Sequence, residues 1–237
     1  MMSTMNLQTN RPSCFLKYIH YRQKIMTDTN IAQNLPEAFR LLDEEADTSL
    51  FRSYMRGTIP LSGRVDIFLD TETSGLATYD KVIQLAYVVK YYPGNDDDPS
   101  VIADDGLVVF KTCDIINVKC SINPHAQKVH NITQNMVRGG EDRDAVYSRL
   151  KNACNLSRKT GGSIIAFNAS FDKRMMGDDF ADYNWDCAMK ILKEAGVKGK
   201  LSEIYKKAFG VDMMNAHNAL GDVEAMIAVW EKYERHT

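Results

Sequence analysis

The hydrophobic pattern changes character near Arg64. Before it, Ile31, Leu35, Phe39 and Leu42 recur at helical spacing, and Asn34-Leu35-Pro36-Glu37 supplies a helix start, so one or two helices are predicted over 31–55. After it, short apolar runs take over. Val65-Asp66-Ile67-Phe68-Leu69-Asp70 predicts a strand, closed by the turn cluster Thr73-Ser74-Gly75. Val82 to Tyr92 and Leu107 to Ile116 predict two more strands, with Pro93 to Pro99 as a hairpin loop between them. Ala145 to Leu156 reads as a helix, Ser163 to Asn168 as a buried strand, and about 170–180, 187–195, 201–208 and 219–233 as helices. A three-strand meander followed by a strand and helices predicts an α/β layer architecture around a mixed sheet.

Composition adds limits. With 237 residues, 44% apolar and 25% charged, the chain can bury a real core and is neither collagen-like nor disordered throughout. No apolar run approaches the roughly 20 residues of a bilayer span, and Val82 to Val89 is interrupted by Gln84, so no membrane partner is expected. A net charge of −2 excludes a large basic field, and any nucleic-acid partner must be held by a local site. The cysteines (Cys14, Cys113, Cys120, Cys154, Cys187) form no C-x-x-C pair. They argue against a zinc or disulfide framework and suit the cytoplasm or another reduced compartment. Residues 1–26 carry Arg11, Lys17, Arg22 and Lys24 and no acid. An organelle transit peptide has that look; a loose tail, or a start at Met26, is the favoured reading.

Acidic residues carry the candidate chemistry. Asp70 and Glu72 stand two apart at the end of the first strand, so both side chains leave on one face. Strand ends of open α/β sheets are where ligands bind. Two carboxylates that close repel unless a cation separates them, and oxygen ligands suit Mg²⁺ or Mn²⁺. A second cluster, Asn168-Ala169-Ser170-Phe171-Asp172, follows the buried strand, with Asn168 and Asp172 on one face if a helix starts there. The third is His217 to Asp222, where the histidine is expected to precede a helix and swing over a site that Asp222 faces. Each cluster alone has an ordinary structural explanation, as a cap or a solvated surface group.

Taken together, Asp70-Thr71-Glu72-Thr73-x-Gly75-Leu76, Asn168-Ala169-x-Phe171-Asp172 and His217-x-x-x-x-Asp222 resemble the three motifs of the DEDDh exonuclease family. That family includes the proofreading subunit of bacterial replicative polymerases. The likeness spans about residues 64–234. It extends to Ile122-Asn123-Pro124 through Thr133, similar to the family's linker, and to Trp185-Asp186-Cys187 and Lys200-Leu201-Ser202, similar to its later helix starts. Phe167 departs from it, since many members have His there.

The resemblance implies a ribonuclease-H-like mixed sheet of five strands over 64–237, flanked by helices, with 1–63 as an N-terminal tail and helical extension. It also implies a 3′→5′ exonuclease with two Mg²⁺ or Mn²⁺ ions, acting at the 3′ end of single-stranded nucleic acid. Asp70 would bridge the ions, Glu72 and Asp222 complete one, Asp172 hold the other, and His217 take the proton from the attacking water. Thr71, Thr73, Gly75, Leu76, Asn168 and Phe171 are then the expected substrate contacts, with Leu76 as a wedge under the last base. DNA proofreading or repair is the leading reading. An exoribonuclease of the same family and a non-catalytic binding module are the alternatives, and a DNA polymerase or other replication protein is a partner that 1–63 would be open to receive.

Overall fold

A computed structural model describes residues 63–92, 106–213 and 217–234. The helices expected over 31–55, the remainder of the N-terminal extension before residue 63, and the 93–99 loop lie outside the described residues.

The meander forms as its apolar runs predict. β1 (Arg64–Thr73), β2 (Val82–Tyr92) and β3 (Leu107–Asn117) pair antiparallel in sequence. Two short helices follow, α1 (Pro124–His130) and α2 (Gln134–Arg138), and then β4 (Glu141–Asp142) and α3 (Arg143–Lys159). β5 (Ile164–Ala166), α4 (Ala169–Met176), a 3₁₀ turn at Asp178–Phe180 and β6 (Trp185–Cys187) come next. The chain ends in α5 (Ala188–Glu194), α6 (Leu201–Phe209) and α7 (Ala219–Glu234). The sheet order is β4-β3-β2-β1-β5-β6, with β5 parallel to β1, β6 to β5 and β4 to β3.

Among the described residues the sheet thus has six strands, not the five expected. Of the two that no apolar run marked, β6 and β4, the latter is two charged residues with no alternation to betray them. Arg149 of α3 holds it against β3, donating to Glu141 at 2.8 Å and Asp114 at 3.0 Å. Trp185-Asp186-Cys187, expected to start a helix, is the edge strand β6, and the helix begins only at Ala188. The stretch expected as a linker, Ile122 to Thr133, contains α1 and ends on the cap of α2: Asn123 Oδ1 accepts from the His125 N–H, and Thr133 Oγ1 from the Met136 N–H. The helix expected over 170–180 stops at Met176. Gly177 follows with φ 76°, a left-handed conformation open to glycine, and its N–H closes on the Lys173 carbonyl.

Period-two alternation sorts β1 onto two cores. Val65, Ile67 and Leu69 pack under α3, against Val146, Leu150 and Cys154. Phe68 points the other way and packs with Ala86, Val88 and Ile165 beneath Ala219, Val223, Met226 and Trp230 of α7. These α7 residues recur at helical spacing, so one stripe of the helix lies on the sheet. Asp70 and Glu72 continue the Phe68 row, which runs off the apolar core toward the start of α7.

Candidate active site

Three elements bring the acids together. β1 and β5 are parallel neighbours, pairing Phe68 with Ile165, so their C-terminal ends share one edge of the sheet. β1 places Asp70 and Glu72 there, and α4, directly after β5, places Asp172 in its first turn. The β1–β2 register slips between Glu72 and Thr73, a bulge of the kind that re-aims side chains beside active sites. α7 crosses the same edge with Asp222 in its first turn.

Ligand oxygens of Asp70, Glu72 and Asp222 all lie within 4.8 Å of one another. Asp172 stands beside this triplet. It is 3% exposed, and its Oδ1 accepts from the Thr71 hydroxyl at 2.8 Å. The electrostatics record the crowding. Burial, and then the carboxylates of Asp172, Asp222 and Glu72, hold Asp70 well above the usual carboxylate range. Burial, with Asp222 and Asp172, pushes Glu72 up to about 8. Asp172 is raised to about 7 by burial, against the Thr71 hydrogen bond, which favours the charged form. Asp222 is raised by burial too, opposed by the His217 backbone N–H and by the charge of His217. An all-oxygen donor set whose members suppress one another's ionisation fits hard divalent cations, which relieve the repulsion and prefer such ligands.

The remaining predicted residues fall into two groups. Thr71, Thr73, Gly75, Leu76 and Phe171 line a groove of about 560 Å³ that begins at Glu72. The two threonine hydroxyls are already engaged, Thr71 with Asp172 and Thr73 with the Gly75 carbonyl at 2.6 Å. Each hydroxyl has thereby used its proton, so it can meet a ligand only as an acceptor. Asn168 is not among the groove residues. It sits exposed as the residue preceding α4, with its Oδ1 accepting from the Ser170 hydroxyl. The shared helical face expected for Asn168 and Asp172 is therefore absent, because Asn168 has φ −118° and ψ 70° and stands outside the helix.

His217 precedes α7, as its spacing from Asp222 implied. Its side chain is exposed, and its N–H donates to Asp222 Oδ1 at 3.4 Å. Its φ is 66°, a left-handed conformation uncommon outside glycine.

Sequence reasoning missed Gln84 and the far wall of the groove. Gln84 is buried opposite Glu72 in the β1–β2 pair, and its Oε1 accepts from the Ala219 N–H at 3.3 Å, tying the start of α7 to the sheet. The one signal was a lone amide inside an apolar run. Tyr79, His125, Val129 and His130 complete the groove. They come from a turn and from α1, and nothing in their spacing marks them.

A family model described as RNase_T, Exonuclease, matches residues 67–230. The chain belongs to this exonuclease family. The exonuclease domain so defined contains all of the clustered acids and His217, and the chain has a ribonuclease-H-like fold. Among solved structures it is similar to exonuclease I, at 18% identity and a TM-score of 0.58 over 73% of this chain and 41% of that one. The zinc-bound complex of E. coli exonuclease I with single-stranded DNA aligns at 17% identity and a TM-score of 0.60, over the same shares. E. coli exonuclease I in complex with a dT13 oligonucleotide aligns at 19% and 0.56, over 71% of this chain and 40% of that one. The chain therefore spans about two fifths of the length of these structures. Among curated proteins no match was found.

Proposed function

We propose that the chain is a metal-dependent 3′→5′ exonuclease that releases nucleoside monophosphates from single-stranded DNA ends, of proofreading or repair type. The observation that carries this reading is the convergence of four carboxylates from β1, α4 and α7 at the mouth of an apolar groove. Asp70, Glu72 and Asp222, with Asp172 beside them, are the residues to hold two Mg²⁺ or Mn²⁺ ions. Bound there, such ions lower the pKa of a water and neutralise charge on the attacking and leaving oxygens.

The protein's own residues do the rest. The Thr71 hydroxyl fixes the orientation of Asp172, and Gln84 fixes the helix that carries Asp222. His217, at the rim and next to Asp222, takes the proton from the attacking water. Its left-handed backbone fits a residue held in place for use. Leu76 and Phe171 contact the terminal base, and the backbone at Thr71 and Thr73 meets the 3′-hydroxyl. That E. coli exonuclease I has been solved with a dT13 oligonucleotide supports a single strand as the substrate.

The test uses 5′-labelled single strands of DNA and RNA of equal length, with Mg²⁺ and with chelator. Stepwise shortening from the 3′ end in Mg²⁺ alone, faster for DNA, is the expected result. Faster loss of RNA would reassign the chain to the exoribonuclease branch. No cleavage of either strand would leave only a binding role.

A further inference from the structure

The two most exposed large apolar side chains among the described residues stand three apart on one turn: Leu76 is 76% exposed and Tyr79 is 79% exposed. The turn that presents them is tightly braced. The Ser74 N–H donates to the Lys81 carbonyl at 2.8 Å and the Asp80 N–H to the Ala77 carbonyl at 3.1 Å. The Asp80 carboxylate accepts from the Ser74 hydroxyl at 2.9 Å and from the Ala77 N–H at 2.8 Å. Gly75 fits here, because a Cβ would push that same carboxylate out of its place in the brace. From outside, Arg174 of α4 donates to the Leu76 carbonyl at 3.2 Å, with its guanidinium 5.3 Å from the centre of the Phe171 ring.

A braced turn holding a leucine and a tyrosine out in water is poorly explained by folding, since neither side chain is buried by it. It suits a ligand: the apolar surface is removed from water only on binding, and little further ordering of the turn is needed. Both side chains line the groove that contains Glu72, so whatever lies on Tyr79 is continuous with what reaches the acids. An aromatic ring at such a place matches an unpaired nucleobase, whose π-face stacks whatever the base.

We propose that Tyr79 is a base-stacking residue that receives an unpaired nucleobase from one of the last two positions of the strand, beside the terminal-base contact of Leu76. This rests on the exonuclease reading above, and it adds a contact outside the three acidic motifs. It makes the turn and α4, joined through Arg174, a single clamp on the strand end.

The test is a cycle between a side chain and a base. Tyr79→Ala and Tyr79→Trp are compared with wild type on single-stranded DNA carrying either natural bases or an abasic residue at the last or the penultimate position. Tyr79→Ala is expected to raise KM about tenfold with a much smaller change in kcat, and Tyr79→Trp to restore it. At one of the two abasic positions the wild type should lose a similar factor, and Tyr79→Ala should add nothing further, which is the signature of direct contact. An equal loss for Tyr79→Ala on all strands, abasic or not, overturns the proposal, because the ring would then act only by shaping the turn. A wild-type dimer dissolved by Tyr79→Ala overturns it in favour of a second copy on this face. If wild type cuts single strands and Tyr79→Ala equals it, the stacking proposal fails alone. If wild type cuts none, the exonuclease reading fails and takes this one with it.

Discussion

Among the described residues, two regions of this molecule treat buried charge in opposite ways. On the β3–β4 side, Arg149 is 14% exposed and lies between Asp114 and Glu141, each acid facing the guanidinium. Across the sheet, the buried Lys90 ammonium meets Glu231 of α7. At the strand ends, by contrast, Asp70, Glu72, Asp172 and Asp222 face one another, met by a threonine hydroxyl and backbone N–H groups. Paired charge is a means of fastening elements. Like charge gathered at one spot destabilises the fold and persists where something outside the chain balances it. The contrast separates scaffold from site without appeal to any relative.

Removing one acid tests the second half of that contrast most severely. Asp70→Asn keeps the shape but deletes the carboxylate that faces Asp172, Asp222 and Glu72 together. Nuclease activity should fall by at least about a thousandfold. In metal-free buffer the melting temperature should stay the same or rise, since one source of repulsion is gone. Retention of a tenth of the rate would show that the cluster is not the reacting centre.

The opposite result is expected for the paired region. Arg149→Met leaves Asp114 facing no cation and frees β4, so stability should drop by about 3 kcal/mol. Turnover per folded molecule should be preserved, because no group near the strand ends is touched. Urea denaturation and a rate normalised to folded protein separate the two effects. A variant that melts normally but turns over slowly would erase the division between scaffold and site.

How much of this was legible in the sequence follows from the same physics. β1, β2 and β3 carry long apolar runs, and their strands appear where the pattern put them. The D-x-E spacing on an extended chain fixed which face the first two acids share. That Asp172 and Asp222 join them was implied by family likeness, because their meeting depends on a parallel β1–β5 pairing that no local pattern encodes. β4 and β6 went unseen because two or three residues are too few to show a period. Asn168 was misplaced for a related reason: whether a residue caps a helix or belongs to it turns on one pair of backbone angles. Gln84 and Tyr79 were visible as residues, but their roles come from tertiary neighbours.

A pH series sharpens the comparison further. Folding raises Glu72 from 4.5 to about 8 and Asp172 from 3.8 to about 7, so between those limits the native state holds protons that the unfolded chain has released. Their contribution to stability is complete below the unfolded values and is lost as pH rises through the folded ones. The metal-free protein should therefore lose melting temperature from about pH 5 to about pH 9, and Mg²⁺ should restore most of that loss at the alkaline end and little at the acid end. Calorimetry in chelator and in Mg²⁺ at each pH gives the two curves. A gap between them that does not widen with pH would mean that the acids are not what the metal neutralises.

The smallest effect is expected where charge is paired but wet. Lys111 and Glu224 approach to 3.5 Å between β3 and α7, with side chains 56% and 55% exposed. Water screens both partners, and holding two long side chains together costs conformational freedom, so such pairs contribute little. Lys111→Gln should shift stability by less than about 0.5 kcal/mol, and raising the salt concentration should shrink even that. If burial is what gives a pair its fastening power, the loss at Lys111 must stay well below the loss at Arg149, although both join separate elements. Equal losses would show that bridging two elements matters more than exclusion of water. The strand-end acids would then have to be explained by where they sit in the fold, not by how dry they are.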